Sequence, residues 1–174
     1  QGTPYDPYGA AGTPATRGRY RPIGINRTSQ LAVLQIRPHR PACCRALQWM
    51  AFGSNAFNAL VPLYANVDEL PDYLSNTMPH QVSTGSLYWS SRLIAALADP
   101  HYGNCVQHIE RYQMAVGSKG TALVHATDKE VADRTFDDAT PDLTKANEGI
   151  ADMLRTETDQ VLENVLYAAS MGMR

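Results

Sequence analysis

The short run Ile25-Asn26-Arg27-Thr28-Ser29-Gln30 gathers a fixed cation, an amide and two hydroxyls between two apolar runs. A guanidinium with neighbouring donors can hold a carboxylate or stabilise a developing oxyanion, because its hydrogen bonds point along a preset fork. The plainer reading is a polar turn whose Arg27 pairs with a nearby acid. Composition alone leaves both open, and Arg27 with Asn26 are the candidate site residues.

Other reactive groups carry less. Cys43, Cys44 and Cys105 are too few, and odd in number, for a disulfide framework. Such a count suits a reducing compartment, so a cytoplasmic location is expected. Adjacent Cys43 and Cys44 cannot easily bond each other or share one metal. Cys105 and His108 stand three apart, as two ligands on one helix face would, but no second pair with matching spacing follows. Cys105 therefore reads as a small apolar core residue, and no metal is expected. The five His residues are scattered, with His80 and His101 beside prolines. Asp137, Asp138 and Asp142 read as a helix entrance rather than a catalytic acid pair, since carboxylates favour helix N-termini. There is no glycine-rich phosphate loop, HExxH, GxSxG or EF-hand pattern.

The elements that must position Arg27 follow from periodicity. Residues 1–18 are broken by Gly2, Pro4, Pro7, Gly9, Gly12, Pro14 and Gly18 and read as an extended arm, leaving 19–174 as one strand-then-helix domain. Strands are expected over 20–26, over 31–37 as a largely buried strand, over 47–52, and over 59–64 despite Pro62. Short connections argue for antiparallel pairing. Arg37, next to Pro38, is expected at the surface, where exchange for Lys is near neutral. Helices follow. One is capped by Ser83 or Thr84 and runs to Leu97, with Trp89, Leu93 and Ala96 on its apolar face and Ser90 and Ser91 off it. A second carries the stripe Cys105, Ile109, Tyr112, Val116 and stops at Gly117. Residues 121–134 read as short helix or irregular chain. A long last helix opens at Thr140-Pro141 with the stripe Leu143, Ala146, Ile150, Leu154, Val161, Val165, Ala168. Strands first and helices after give α+β, with antiparallel sheets packed against helices.

The chain has 174 residues, 44% of them hydrophobic and 18% charged, which is enough apolar material for a core. No run approaches the roughly 18 apolar residues of a membrane-spanning helix, so no membrane partner is expected. The first 60 residues hold seven Arg and no Lys against one Asp, while the remainder is acidic. Arg17, Arg19, Tyr20 and Arg21 could form a nucleic-acid patch. No nucleic-acid motif follows, so the expectation is a basic half packed on an acidic one, or on another part of the protein, with no nucleic acid.

Three ordered blocks add to this: residues 20–30 (YRPIGINRTSQ) with 34–38 (LQIRP), residues 49–64 (WMAFGSNAFNALVPLY) and residues 87–101 (LYWSSRLIAALADPH). Together they resemble the bacterial dipeptidase family of N-terminal-nucleophile cysteine hydrolases. The likeness runs from about Tyr5 to near the C-terminus and corresponds to the C-terminal part of the family's chain. It implies an αββα sandwich, of which this chain supplies part. It implies cleavage of dipeptides by an N-terminal Cys whose own α-amino group is the base, with no metal or organic cofactor. Related acylases place an Arg near the nucleophile from the later half of the chain. Arg27 is the candidate for that role, with Asn26 second.

The chain departs from the family pattern at its start, which is Gln1 rather than Cys. The expectation is a processed chain, or a piece that lacks the nucleophile and is inactive alone. Its partners would be dipeptides and the missing N-terminal part of the same protein. Without that part, strands 31–37 and 47–52 would leave apolar area uncovered, and self-association into a homo-oligomer would follow. The alternatives are an amide hydrolase acting on acylated amines, and a non-catalytic module that binds peptides or proteins.

Overall fold

A computed structural model describes residues 28–172. The expected arm over 1–18 and strand over 20–26 lie outside the described residues. Three strands come first: β1 (Gln30–Ile36), β2 (Ala46–Phe52) and β3 (Val61–Tyr64), with a 3-10 turn at Ala42–Cys44 between β1 and β2. They form one antiparallel sheet in the order β1-β2-β3. Four helices follow: α1 (Asp72–Ser75), α2 (Leu87–Ala98), α3 (Tyr102–Glu130) and α4 (Phe136–Met171). The class is α+β, as strands followed by helices imply. No helix among the described residues is long and apolar enough to cross a membrane.

Among the described residues the sheet is covered from the β3 edge. In β3 all four residues are buried. Its outer edge is closed by Asn147 of α4, whose side-chain oxygen accepts from the Tyr64 N–H at 2.9 Å and whose amide donates to the Tyr64 carbonyl at 3.0 Å. Asn147 thus takes the place of a fourth strand. Burial falls off through β2 to β1, where six of seven residues are exposed. The expectation of a largely buried strand over 31–37 is therefore corrected: Leu34 is 77% and Ile36 65% exposed. The helices pack beside β2 and β3, and β1 extends past them. Of the two strands expected to leave apolar area uncovered, β1 does so, whereas no residue of β2 is exposed; Trp49 in β2 reaches across to donate to Gln35 at 2.8 Å.

The helical stripes hold better than the helix ends. Cys105, Ile109, Tyr112 and Val116 are buried along α3, and Leu143, Ile150, Leu154, Val161 and Val165 along α4. The expected stop at Gly117 is wrong, because α3 continues to Glu130. Glycine in a helix interior costs about 1 kcal/mol, and burial of Val116, Val124 and Thr127 along the same helix outweighs it. A second glycine is required by packing: a Cβ at Gly120 would lie 2.8 Å from Pro62 Cδ of β3. α4 begins one turn earlier than Thr140. Thr135 caps it by accepting from the Asp138 N–H at 3.3 Å, with Asp137 and Asp138 in the first turn, so Pro141 falls inside the helix. α2 starts after Ser86, not Ser83 or Thr84. Its buried face is also corrected: Ser90 and Ser91 are buried with Leu87, Ile94 and Ala98, whereas Trp89 and Leu93 are only partly covered and Ala96 is exposed. At Ser91 the contact is long-range: the Gly53 loop packs on it so closely that a Cβ at Gly53 would lie 3.1 Å from the Ser91 Cβ.

Candidate functional site

Asn26 and Arg27 lie outside the described residues, but the end of their segment is placed. Ser29, at the entry to β1, accepts through its carbonyl from the Gly53 N–H at 3.0 Å. That bond ties the segment to the loop leaving β2. Gly53 has φ +82°, the left-handed region open to glycine. A Cβ there would also lie 3.1 Å from Ser91 Cβ of α2. Asn58 holds the loop from inside, its amide donating to the Phe52 and Gly53 carbonyls at 3.1 and 3.0 Å. The Phe57 N–H closes a turn onto the Ser54 carbonyl at 3.0 Å.

Two polar atoms in this fixed loop are left over. Ser54 is 4% exposed. Its Oγ and the Asn55 Oδ1 are buried without a hydrogen-bond partner among the described residues. A buried polar atom left unpaired costs about 1–3 kcal/mol, so such atoms mark places where a partner belongs. Ser54 also lines a cavity of about 220 Å³ with Phe57, Arg92, Ala95 and Pro100. The corner thus sets a hydroxyl and an amide beside the strand entry that follows Asn26 and Arg27. Ser54 and Asn55 are not among the candidates named from sequence; the Gly53-Ser54-Asn55 run directly after an apolar strand is the signal that points to them.

A second polar group is structural, and it corrects the surface placement of Arg37. That side chain is 7% exposed and binds Asp128 through two bonds, Nη1 to Oδ2 at 2.7 Å and Nη2 to Oδ1 at 2.9 Å. It also donates to the Cys44 carbonyl. Arg40 approaches the same carboxylate at 3.2 Å, and the Tyr64 hydroxyl donates to Asp128 Oδ1 at 2.9 Å. Burial, and then the adjacent Asp128, drive the Tyr64 hydroxyl well above the usual phenol range.

The three cysteines are free and buried. Burial, followed by the Asp128 charge, pushes the Cys44 thiol up to about 11. Burial raises Cys105 as well. Both are neutral thiols at physiological pH, the opposite of an activated nucleophile. Cys43 Sγ sits 3.6 Å from the Val131 carbonyl. Among the described residues no group of three or more His, Cys, Asp or Glu is placed to hold a metal.

The model of peptidase family C69 matches residues 1–115. The chain belongs to that family. The match takes in Asn26 and Arg27, the Gly53 corner, α2 and the first half of α3. Among curated relatives of this C69 chain, a dipeptidase of Bifidobacterium longum (strain NCC 2705) is 42% identical over the whole chain and 40% of its own length. A probable dipeptidase A of Streptococcus pyogenes serotype M3 is 45% identical over 98% of the chain and 36% of its own length. Dipeptidase A of Lactobacillus helveticus is 36% identical over 93% and 34%. The C69 chain therefore spans about two fifths or less of the length of these relatives.

Proposed function

We propose that this chain is the C-terminal part of a cysteine dipeptidase that hydrolyses dipeptides through an N-terminal Cys lying outside it. The observation that carries this is the C69 match across the segment that holds Asn26, Arg27 and the Gly53 corner. The relatives named dipeptidase support the substrate class.

The chemistry follows from elementary acidities. An α-amino group with a pKa near 8 takes the proton of its own Cys thiol. The thiolate attacks the peptide carbonyl, and negative charge grows on the carbonyl oxygen. The amide C–N bond then breaks, the proton passes to the leaving amine, and water releases the acyl group from the sulfur. Arg27 and Asn26 supply donors to the growing oxyanion. The Asn55 amide and the Ser54 hydroxyl stand beside their segment as further polar groups. No metal or organic cofactor enters these steps.

Further proposals follow from the same reading. The remainder of the protein covers the bare face of β1, and without it that face drives self-association. Nucleic acid and membrane are not partners. The free thiols suit a cytoplasmic location. The chain alone hydrolyses no dipeptide, because Cys44 and Cys105 are held protonated and Cys43 is buried. A dipeptide panel tests this on the 174-residue chain and on the protein extended to its relatives' length. Turnover is expected from the long form alone, and thiol-sensitive turnover by the short one would overturn the reading.

A further inference from the structure

The amino end of α2 carries polar groups without partners among the described residues. The Ser90 N–H bonds the Ser86 carbonyl at 3.1 Å, the first bond of the helix. The amides of Leu87, Tyr88 and Trp89 consequently have no acceptor within the helix. Ser86 is the N-cap, with an extended backbone, yet its side chain makes no capping bond, and the first turn holds no acidic residue. The end of the helix dipole is therefore uncompensated from within α2.

The second observation is independent of the helix. Ser86 is 4% exposed, and its Oγ has no hydrogen-bond partner among the described residues. The residue lines a cavity of about 220 Å³ together with Asn76, Gln81, Ser83 and Trp89. A buried hydroxyl without a partner is destabilising unless an incoming group accepts its proton. Trp89 cannot, because its indole N–H is a donor only, and it is given to the Met78 carbonyl at 2.9 Å. Ser83 Oγ accepts from the Gly85 N–H at 3.1 Å and makes no bond to the Ser86 hydroxyl.

The cavity has neutral walls: none of its lining residues is Asp, Glu, Lys or Arg. A helix N-terminus carries roughly half a positive charge, which suits a monoanion. A doubly charged phosphate would bring more charge than these walls offset. Ser86 lies five residues before Ser91, the residue against which Gly53 packs, or about 7.5 Å along the helix axis. An extended two-residue peptide spans about 7 Å.

The geometry points to a carboxylate subsite at the N-terminus of α2, with Ser86 donating to one oxygen and the first-turn amides, which have no acceptor within the helix, supplying further donors. In the complete enzyme it takes the C-terminal carboxylate of the dipeptide. That last assignment rests on the dipeptide-hydrolysis reading, whereas the carboxylate subsite does not.

The test uses the protein at its relatives' full length, with N-acetylglycine and N-acetylglycinamide as calorimetric probes. The acid should bind and the amide should not. Ser86→Ala should weaken binding of the acid about tenfold, the loss of one hydrogen bond to a charged group. It should leave the thermal midpoint unchanged or raise it, since no cap bond is removed and an unpaired buried hydroxyl is lost. Ser86→Asp places a carboxylate in the site, and should raise the midpoint and abolish binding of the acid. On dipeptides Ser86→Ala should raise KM about tenfold with kcat within twofold, leaving dipeptide amides unaffected. Equal binding of acid and amide, or wild-type affinity in Ser86→Ala, overturns the subsite. An unchanged KM alongside weakened N-acetylglycine binding overturns its assignment to the substrate. If no dipeptide is turned over at all, the functional reading fails by itself, and the calorimetric comparison still decides the subsite.

Discussion

Arg37 and Asp128, 91 residues apart in the chain, meet inside the protein as a two-bond ion pair at 2.7 and 2.9 Å. One comes from the residue just after β1 and the other from the last turns of α3, so the pair fastens the sheet to the helical layer. Such a pair is destructive when half of it is removed, because the remaining charge is stranded in a dry site. Arg37→Met should cost about 3–5 kcal/mol in denaturant unfolding of the full-length protein. Arg37→Lys keeps the charge but not the fork, and should cost about 1–3 kcal/mol. Arg37→Met combined with Asp128→Leu should recover much of the loss. A wild-type midpoint in Arg37→Lys would return Arg37 to the surface role that its place beside Pro38 suggested.

Gly117 and Gly120, both inside α3, should respond in opposite directions. A Cβ at Gly117 meets nothing within 4 Å, whereas at Gly120 it meets Pro62 at 2.8 Å. Gly117→Ala should stabilise by up to about 1 kcal/mol through helix propensity. Gly120→Ala should destabilise by about 1–3 kcal/mol as β3 is pushed off the helix. Thermal midpoints of the two variants decide this, and equal shifts would contradict the close packing of α3 on β3.

Local periodicity carried much of this fold and long-range contact carried the rest. The apolar runs of β1 and β2 and the stripes of α3 and α4 are readable because each depends on spacing within one element. Gly117 misled because the burial holding α3 together on either side of it is tertiary. Ser91 reads as lying off the apolar face because the Gly53 loop that packs on it is far away in sequence. Arg37 looked exposed because nothing near it announces Asp128. At the candidate site, Asn26 and Arg27 could be named from residue type. Ser54 and Asn55 could not, since their significance is the absence of a partner, which only packing reveals.

The bare face of β1 predicts the behaviour of the chain by itself. Leu34 and Ile36 stand on one face of an uncovered strand. The 174-residue chain should bind a hydrophobic dye and self-associate, and Leu34→Glu with Ile36→Lys should suppress both. Sedimentation and dye fluorescence report this. A compact, dye-silent monomer at high concentration would show that β1 needs no cover.

Arg27 separates a catalytic role from a turn. In the full-length enzyme Arg27→Lys should lower kcat at least about tenfold with little change in melting temperature, since a lost preorganised donor typically costs about 3 kcal/mol of transition-state stabilisation. A structural Arg27 would do the reverse, lowering the midpoint while the folded enzyme keeps its rate.

The central claim is that dipeptides are cleaved by an N-terminal Cys and not by any cysteine of this chain. The direct measurement is alkylation of the full-length enzyme with iodoacetamide at neutral pH, following dipeptide turnover and mapping the label by mass. One equivalent should abolish turnover, with the label on the N-terminal Cys, while Cys43, Cys44 and Cys105 stay unmodified until the protein is unfolded. Loss of activity with the label on Cys43, Cys44 or Cys105, or full activity after the N-terminal Cys has been alkylated, would contradict the account.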